Sequence, residues 1–284
     1  MKKLVLLAAR PGMYFGLILI LTVILQPYVY AADETRPIRF GSVAMDIPAV
    51  MHKRLIPLTR YLSTTLKRPV ILTLSPNMED AIQNVVNGRV DLAYLTPVAY
   101  IRSHEQGKTR LIVKTVTDNK SSFQLMIVSR DDSDIHKVED LAGKSFAFGD
   151  EAALLQRAVV VGAGMPMEKL GNYQFLGHYD NIVRAVLNRD FDAGILKDTK
   201  AYAWRDKGVR IIYSSPHLPP YNIAATKGMD DALYQKIQKA FLALNINNPE
   251  HLYVIKALSK SYSGFENSSD VEYDVVRKLT EPFK

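Results

Sequence analysis

The chain of 284 residues contains no cysteine. This absence excludes disulfide bonds, thiol nucleophiles and thiolate metal sites. It also excludes a lipid anchor of the kind that is attached to a cysteine behind an exported leader. Recognition and chemistry therefore have to come from other side chains.

Motifs of catalysis and of metal binding are also missing. There is no nucleophile motif and no glycine-rich loop that would hold a phosphate chain. Asp150 and Glu151 are adjacent carboxylates, but neighbours at a helix start usually point apart and do not share one acid–base task. The segment His178-Tyr179-Asp180 is one short loop without a second ligand cluster. We expect no enzyme activity, no bound metal and no cofactor.

Clusters of one charge are absent as well. The formal net charge is +7, and basic residues alternate with acidic ones along the chain. Nucleic-acid binding domains concentrate lysine and arginine on one face, so this pattern gives no support to a nucleic-acid partner.

The first 32 residues resemble an export signal. Lys2, Lys3 and Arg10 precede an apolar run from Tyr14 to Leu25, and small residues follow near Ala31. This order predicts a cleavable signal peptide over residues 1–31 and a periplasmic mature protein. An uncleaved membrane anchor is the alternative, but the run is short of the roughly twenty residues that span a bilayer.

Strand-like and helix-like segments alternate from Ile38 to the end, without a linker rich in glycine, serine or proline. Such alternation predicts an α/β fold with mostly parallel sheets. One helix is expected to start at Asp46-Ile47-Pro48 and to kink or break at Pro57. Another is expected to start near Glu151.

A phrase within the stretch Gly177–Asp198 occurs twice in the chain. Aligning NGRVDLAYL (Asn87 to Leu95) with NRDFDAGIL (Asn188 to Leu196) matches asparagine, aspartate and leucine. Any two α/β units can share this pattern of residue types by chance. The alternative is two lobes of like topology, each presenting the carboxyl end of a strand to one crevice, where ligands bind in open α/β sheets.

Six segments in order resemble the periplasmic solute-binding proteins of phosphate, phosphite and phosphonate uptake, within the type II periplasmic binding protein superfamily. They are RFGSVAMDIPAVMHKRLIPLTRYL, NGRVDLAYLTPVAYI, VEDLAGKSFAFGD, GHYDNIVRAVLNRDFDAGILKD, LPPYNIAATK and GFENSSDVEYDVVRKL.

The resemblance implies two lobes, each a mostly parallel sheet flanked by helices, joined by two hinge strands. Lobe 1 would comprise residues 32–122 and 222–284, and lobe 2 residues 123–221. The hinges would lie near Ser122–Leu125 and Pro219–Asn222.

The ligand motifs of that family are altered here. Typical members follow a Phe-x-Asp turn with a Ser-Thr-Ser cluster at a helix N-terminus, where hydroxyls and free N–H groups hold an anion. This chain keeps the turn Phe148-Gly149-Asp150 but continues with Glu151-Ala152-Ala153-Leu154-Leu155. The family's Gly-Ser-His-Asp loop reads Gly177-His178-Tyr179-Asp180, which places Tyr179 where the family has histidine.

The resemblance and the strand ends together give the candidate ligand-binding residues. They are Met45, Tyr94, Thr96, Asp150, Glu151, Ala152, Ala153, His178, Tyr179, Asp180 and Lys197. Five of them have a plainer alternative: Met45 as a core filler, Tyr94 as a core aromatic, Asp150 and Asp180 as helix N-caps, and His178 as a solvent-facing loop residue.

The resemblance implies that the protein, a monomer, captures a small ligand between two lobes and delivers it to an ABC permease. A periplasmic partner of a membrane sensor kinase is the alternative, and both roles use the same cleft. Glu151 is expected to repel an anion, and the helix dipole is expected to attract it by a similar amount. Because these two effects about cancel, the missing hydroxyl hydrogen bonds are expected to decide against tight anion binding. We therefore expect weak phosphate binding and a preference for a less charged or more apolar solute.

Overall fold

Two β-sheets organise the residues that the computed structural model describes, which are 36–42 and 48–284. The predicted signal peptide, the helix start at Asp46 and the candidate residue Met45 lie outside the described residues. Within the described part of the chain, no helix is both long enough and apolar enough to cross a membrane.

Strands and α-helices alternate through most of the described residues, as the sequence pattern predicted. The strands are β1 (Ile38–Ser42), β2 (Val70–Leu74), β3 (Leu92–Leu95), β4 (Arg110–Thr117), β5 (Leu125–Arg130), β6 (Ser145–Phe148), β7 (Asn172–Phe175), β8 (Ala193–Lys197), β9 (Val209–Ser214), β10 (Asn222–Ala225) and β11 (Tyr262–Glu266). The helices are α1 (Pro48–Leu66), α2 (Met78–Val86), α3 (Pro97–Gly107), α4 (Leu154–Gly162), α5 (Tyr179–Leu187), α6 (Asp198–Trp204), α7 (Asp231–Leu242), α8 (Pro249–Leu258) and α9 (Asp274–Thr280).

The two sheets share one strand order. The first runs β2-β1-β3-β10-β4, with β11 added at the edge, and the second runs β7-β6-β8-β5-β9. In both, the first three strands pair in parallel, and the fourth position holds a strand antiparallel to its neighbours. The sheets are thus mostly parallel in strand direction, with β5, β10 and β11 reversed.

Two of the reversed strands, β5 and β10, follow from two passages of the chain between the sheets. β5 enters the second sheet directly after β4 of the first, and β10 returns to the first sheet after β9 of the second. The two connecting segments are residues 118–124 and 215–221. They pair with each other, because Phe123 and Leu218 exchange backbone hydrogen bonds of 3.0 and 2.8 Å. A strand that enters from the opposite lobe runs against the strands already there.

The repeated phrase noted in the sequence occupies equivalent places. β3 pairs with β1 and β10, and β8 pairs with β6 and β5, so each is the third strand of its sheet. Each follows a helix, α2 or α5, whose C-cap is the matched asparagine, Asn87 or Asn188. The resemblance between the two segments therefore reflects two lobes of like topology.

Two predicted features of the helices differ in the structure. α1 continues through Pro57, a buried residue, so the helix is not broken there. The packing of α1 against β2 and α8 supports a helix that proline alone would interrupt. α4 begins at Leu154, three residues after Glu151. The Asp150 carboxylate and carbonyl accept the N–H groups of Ala152 and Ala153 in a tight turn, which delays the helix.

Candidate functional site

A cavity of about 330 Å³ lies between the two sheets, with lining residues from both lobes and from the connecting segments. It is lined by Met78, Thr96, Pro97, Val98, Thr115, Thr117, Phe123, Leu125, Ala152, Ala153, Leu154, Leu155, Gln156, Tyr179, Lys197, Pro220, Tyr221, Ser259, Ser261 and Tyr262. Its volume falls in the range of small-molecule sites, and its position is the crevice at the strand ends.

The first lobe contributes hydroxyl groups that are already engaged in its own structure. Thr96 follows β3 and is the N-cap of α3, where its Oγ1 accepts the N–H of Ala99 at 3.1 Å. Thr115 on β4 donates its hydroxyl to the carbonyl of Tyr221 at 3.2 Å. Hydrogen bonds with the backbone of Ala99 and of Tyr221 thus fix the shape of this side of the cavity.

The second lobe contributes the start of α4, which is apolar. Ala153 is the N-cap and makes no side-chain capping bond, and Leu154 and Leu155 complete the cavity wall at this helix end. The following residue, Gln156, is buried and accepts the N–H of Gly149 on Oε1 at 2.7 Å. Here the structure has backbone N–H groups and methyl groups where the resembling family has a hydroxyl cluster.

Tyr179 lines the cavity from the N-terminus of α5, and its hydroxyl interacts with Gln156. Burial raises the pKa of Tyr179 to about 12, although the contact with Gln156 lowers it in part. The phenol is therefore protonated at neutral pH and can donate a hydrogen bond.

Lys197 brings a positive charge to the cavity from the end of β8. Its Nζ lies 5.2 Å from the ring centre of Phe123, close enough for a cation–π contact. Burial lowers the pKa of Lys197, partly offset by the attraction of Asp198 and Asp118. No carboxylate belongs to the described lining of the cavity, and within the described chain no carboxylate forms an ion pair with Lys197.

A second cavity, of about 560 Å³, adjoins the first and shares Tyr221, Ser259 and Tyr262 with it. Tyr94 lines this second cavity. Its hydroxyl lies 2.5 Å from that of Tyr262, and burial raises its pKa well above the usual value. Tyr94 is only 5% exposed, so it lies in the core of the first lobe and borders this cavity rather than the first one.

The candidate residues divide into two groups. Those in the lining of the interlobe cavity are Thr96, Ala152, Ala153, Tyr179 and Lys197. Those that the described structure places outside this lining are Tyr94, Asp150, Glu151, His178 and Asp180, and the last four are exposed.

Neither aspartate is the N-cap of its helix, so that alternative was wrong for both. Asp150 lies ahead of the N-cap Ala153, as described above. His178 is the N-cap of α5, and Asp180 lies in the first turn of that helix. The Asp180 carboxylate accepts a hydrogen bond from Lys200 at 2.6 Å, and this contact lowers its pKa. A carboxylate in the first turn still complements the helix dipole, which is why the pattern resembled a cap.

Several lining residues were missed by the sequence reasoning. Tyr221 follows the predicted hinge prolines, and this position was the available signal for it. Tyr262 lies on β11, whose sequence YSGFE lacks a regular apolar alternation, and no strand was predicted there. Gln156 lies one turn into a helix and carried no signal.

A family model described as "ABC transporter, phosphonate, periplasmic substrate-binding protein" matches residues 40–273. The phosphate-import protein PhnD of Mycolicibacterium smegmatis is 24% identical over 207 residues, which are 65% of this chain and 64% of that protein. This chain thus matches less than two thirds of the length of that relative.

Solved structures show the same fold at low identity. XAC2383 from Xanthomonas citri, bound to a chloride ion, has a TM-score of 0.72 and 20% identity, over 86% of this chain and 96% of that chain. PhnD1 from Prochlorococcus marinus, in complex with methylphosphonate, has a TM-score of 0.68 and 17% identity, over 87% and 98%. The fold is that of a two-lobed type II periplasmic binding protein. With the family match over most of its length, this chain belongs to the phosphonate-type periplasmic substrate-binding proteins of ABC transporters.

Proposed function

We propose that this protein captures a small solute in the cavity between its lobes and delivers it to an ABC permease. Membership of the substrate-binding family supports this role. The observation that carries the location of the site is the cavity itself, because both lobes and both connecting segments contribute to its walls.

In this proposal, lobe 1 comprises residues 32–122 and 222–284, and lobe 2 comprises residues 123–221. The two lobes close on the ligand by rotating about the connecting segments. These segments pair through Phe123 and Leu218, so a change of lobe angle concentrates on the short stretches beside this pair. Small-angle scattering should show a smaller radius of gyration when the true ligand is bound. An unchanged radius would argue against closure.

Export is part of the proposal. We propose that residues 1–31 are removed and that the mature protein works in the periplasm as a monomer. N-terminal sequencing of the secreted protein should begin at Ala32 or Asp33. Recovery of the protein with Met1 in the membrane fraction would contradict this.

The solute in this proposal is less charged or more apolar than phosphate. The start of α4 offers alanine and leucine side chains to the cavity, and burying a multiply charged anion needs matched donors. Glu151 is exposed and outside the described lining, so its repulsion is largely screened by solvent and carries little of the argument. The expected preference for a less charged solute therefore rests on the missing hydroxyls and on the apolar wall.

Two measurements test this part. Native mass spectrometry of gently purified protein should reveal a co-purified solute. Isothermal calorimetry with phosphate and methylphosphonate should show weak or undetectable binding, and submicromolar binding of either would contradict the proposed ligand class.

A further inference from the structure

We propose that the interlobe cavity selects a singly charged anion with a short apolar tail, of the alkyl carboxylate or alkyl sulfonate class, with Lys197 as its counter-charge. This inference rests on the proposed function and names the substrate class of the same site.

The charge of the lining sets the charge of the ligand. Lys197 is the charged residue among the described lining residues. Its neighbour Asp198 attracts Lys197 but forms no ion pair with it within the described chain, and its two carboxylate oxygens accept the N–H groups of Gln124 at 3.1 Å and Thr199 at 2.7 Å. One negative charge on the ligand would balance Lys197. A second would be buried without a partner, which is unfavourable.

The surroundings of Lys197 also disfavour a neutral ligand. The ammonium group is half-buried and lies over the ring of Phe123, and burial lowers its pKa. A charged group in such a place is stabilised when an opposite charge approaches it. A neutral solute would cover Lys197 without supplying that charge, so an anion has the advantage.

Neutral donors complement the anionic group. Tyr179 lines the same cavity with its hydroxyl protonated, and Gln156 is beside it. Tyr221 also lines the cavity, and burial raises the pKa of its hydroxyl, which is therefore protonated at neutral pH. Hydroxyl and amide donors suit the oxygens of a carboxylate or a sulfonate.

The remaining wall is apolar and would take a hydrocarbon tail. Six lining residues form it, namely Met78, Val98, Phe123, Leu125, Leu154 and Leu155. Each methylene group that such a wall removes from water strengthens binding by about fourfold. The cavity therefore offers one charged end and one apolar end, which matches an amphipathic monoanion.

The test is a calorimetric series in which the alkyl group is constant and the charge changes. Valerate and butanesulfonate carry one negative charge, the monoester butyl phosphate at pH 8 carries close to two, and butanol carries none. We expect the two monoanions to bind at least about tenfold more tightly than butyl phosphate and butanol. The two monoanion arms distinguish a carboxylate from a sulfonate ligand.

Two variants identify the counter-charge. Lys197→Met should weaken monoanion binding by about tenfold or more and leave butanol binding unchanged. Lys169→Met removes an exposed lysine of the same lobe, outside the described lining, and should change neither. Methanesulfonate should bind more weakly than butanesulfonate by the loss of three methylene groups.

Each contrary result is informative. Equal affinity for butanol and the monoanions, or unchanged monoanion affinity in Lys197→Met, overturns this inference and leaves the proposed capture of a less charged solute intact. Tighter binding of butyl phosphate overturns both the inference and the proposed preference. Failure of all four butyl ligands to bind the wild-type protein overturns the inference, while the co-purified solute tests the capture role independently.

Discussion

The two lobes use the same residue at the amino end of their third strand and different residues at its carboxyl end. Asp91 accepts the backbone N–H of Arg39 at 2.8 Å, and Asp192 accepts that of Ser145 at 2.9 Å. Each aspartate N–H in turn donates to the carbonyl of the same partner residue. The matched aspartates thus tie the third strand to the second in both sheets, β3 to β1 and β8 to β6.

The side-chain partners of these aspartates differ. Asp91 pairs with the guanidinium groups of Arg36 and Arg39 at 2.7 and 3.0 Å, whereas Asp192 accepts the hydroxyl of Ser145 at 2.8 Å. The first lobe therefore anchors its strand with ion pairs and the second with neutral donors.

At the carboxyl ends the lobes present different chemistry to the cavity. β3 leads to Thr96, a hydroxyl that caps a helix, while β8 leads to Lys197, a cation without a capping bond. The amino ends repeat because both sheets need the same backbone link. The carboxyl ends differ where they face the cavity that we propose as the ligand site, and a ligand need not be symmetric.

The ion pairs of Asp91 with Arg36 and Arg39 form the charged anchor of the first lobe. The largest expected effect on stability comes from breaking this anchor. Asp91→Ala leaves Arg36 and Arg39 without their carboxylate, and the loss of a buried partner should lower the free energy of unfolding by about 3 kcal/mol. Urea unfolding at neutral pH measures it. Asp190→Ala, which removes an exposed aspartate, is the control and should change the value by at most about 0.5 kcal/mol. A loss no larger than that of the control would contradict the anchoring role.

The next effect is a dependence on pH that is specific to the charged anchor. Burial alone would raise the pKa of Asp91, but the hydrogen bonds from Arg39 and Arg36 outweigh it and hold the pKa below its usual range. Stability from such a group is present above the usual carboxyl pKa and is lost as the pH falls through the lowered one. Below about pH 4 the wild type should lose stability more steeply than Asp91→Asn.

Thermal unfolding followed by circular dichroism across the acid range measures this difference. Asp192 is present in both proteins, and its own lowered pKa contributes equally to both curves. Parallel curves for wild type and Asp91→Asn would show that the Asp91 carboxylate is not the source.

The hydrogen bonds from Ser145 to Asp192 form the neutral anchor of the second lobe. This anchor should contribute less to the free energy of unfolding than the charged one. Asp192→Ala leaves the N–H and the hydroxyl of Ser145 without an acceptor, at a cost of about 1 to 2 kcal/mol. Urea unfolding of this variant beside Asp91→Ala compares the two lobes directly. Equal losses would mean that the arginine pairs add nothing to the shared backbone link.

The smallest effects are expected at the carboxyl ends. Thr96→Ala removes the N-cap of α3 and should cost about 1 kcal/mol, with Thr96→Ser restoring most of it. Lys197→Met should change stability by at most about 0.5 kcal/mol, because that side chain makes no capping bond. A large loss in Lys197→Met would assign the lysine a role in the fold rather than at the ligand.

Much of the fold followed from the pattern of the chain. Periodicity and turn residues predicted most of the strands and helices, and the repeated phrase indicated two units of like topology. β7, with sequence NYQF, was missed because it is largely exposed and its two alternating aromatic residues, Tyr173 and Phe175, are too few to establish a strand pattern. α6 was missed because its seven residues directly follow β8 and leave no separating turn signal.

The sequence by itself determined the fold class, the repeated strand unit and the absence of thiol chemistry, since these depend on composition and on contacts between near neighbours. Only the tertiary structure decided which side chains share the cavity. Thr96, Lys197 and Tyr262 are far apart in the chain, and their meeting depends on how two sheets pack around the connecting segments. Whether a charge is balanced is likewise a matter of distance in space, and it was the fold that left Lys197 facing the cavity without a carboxylate in the described lining.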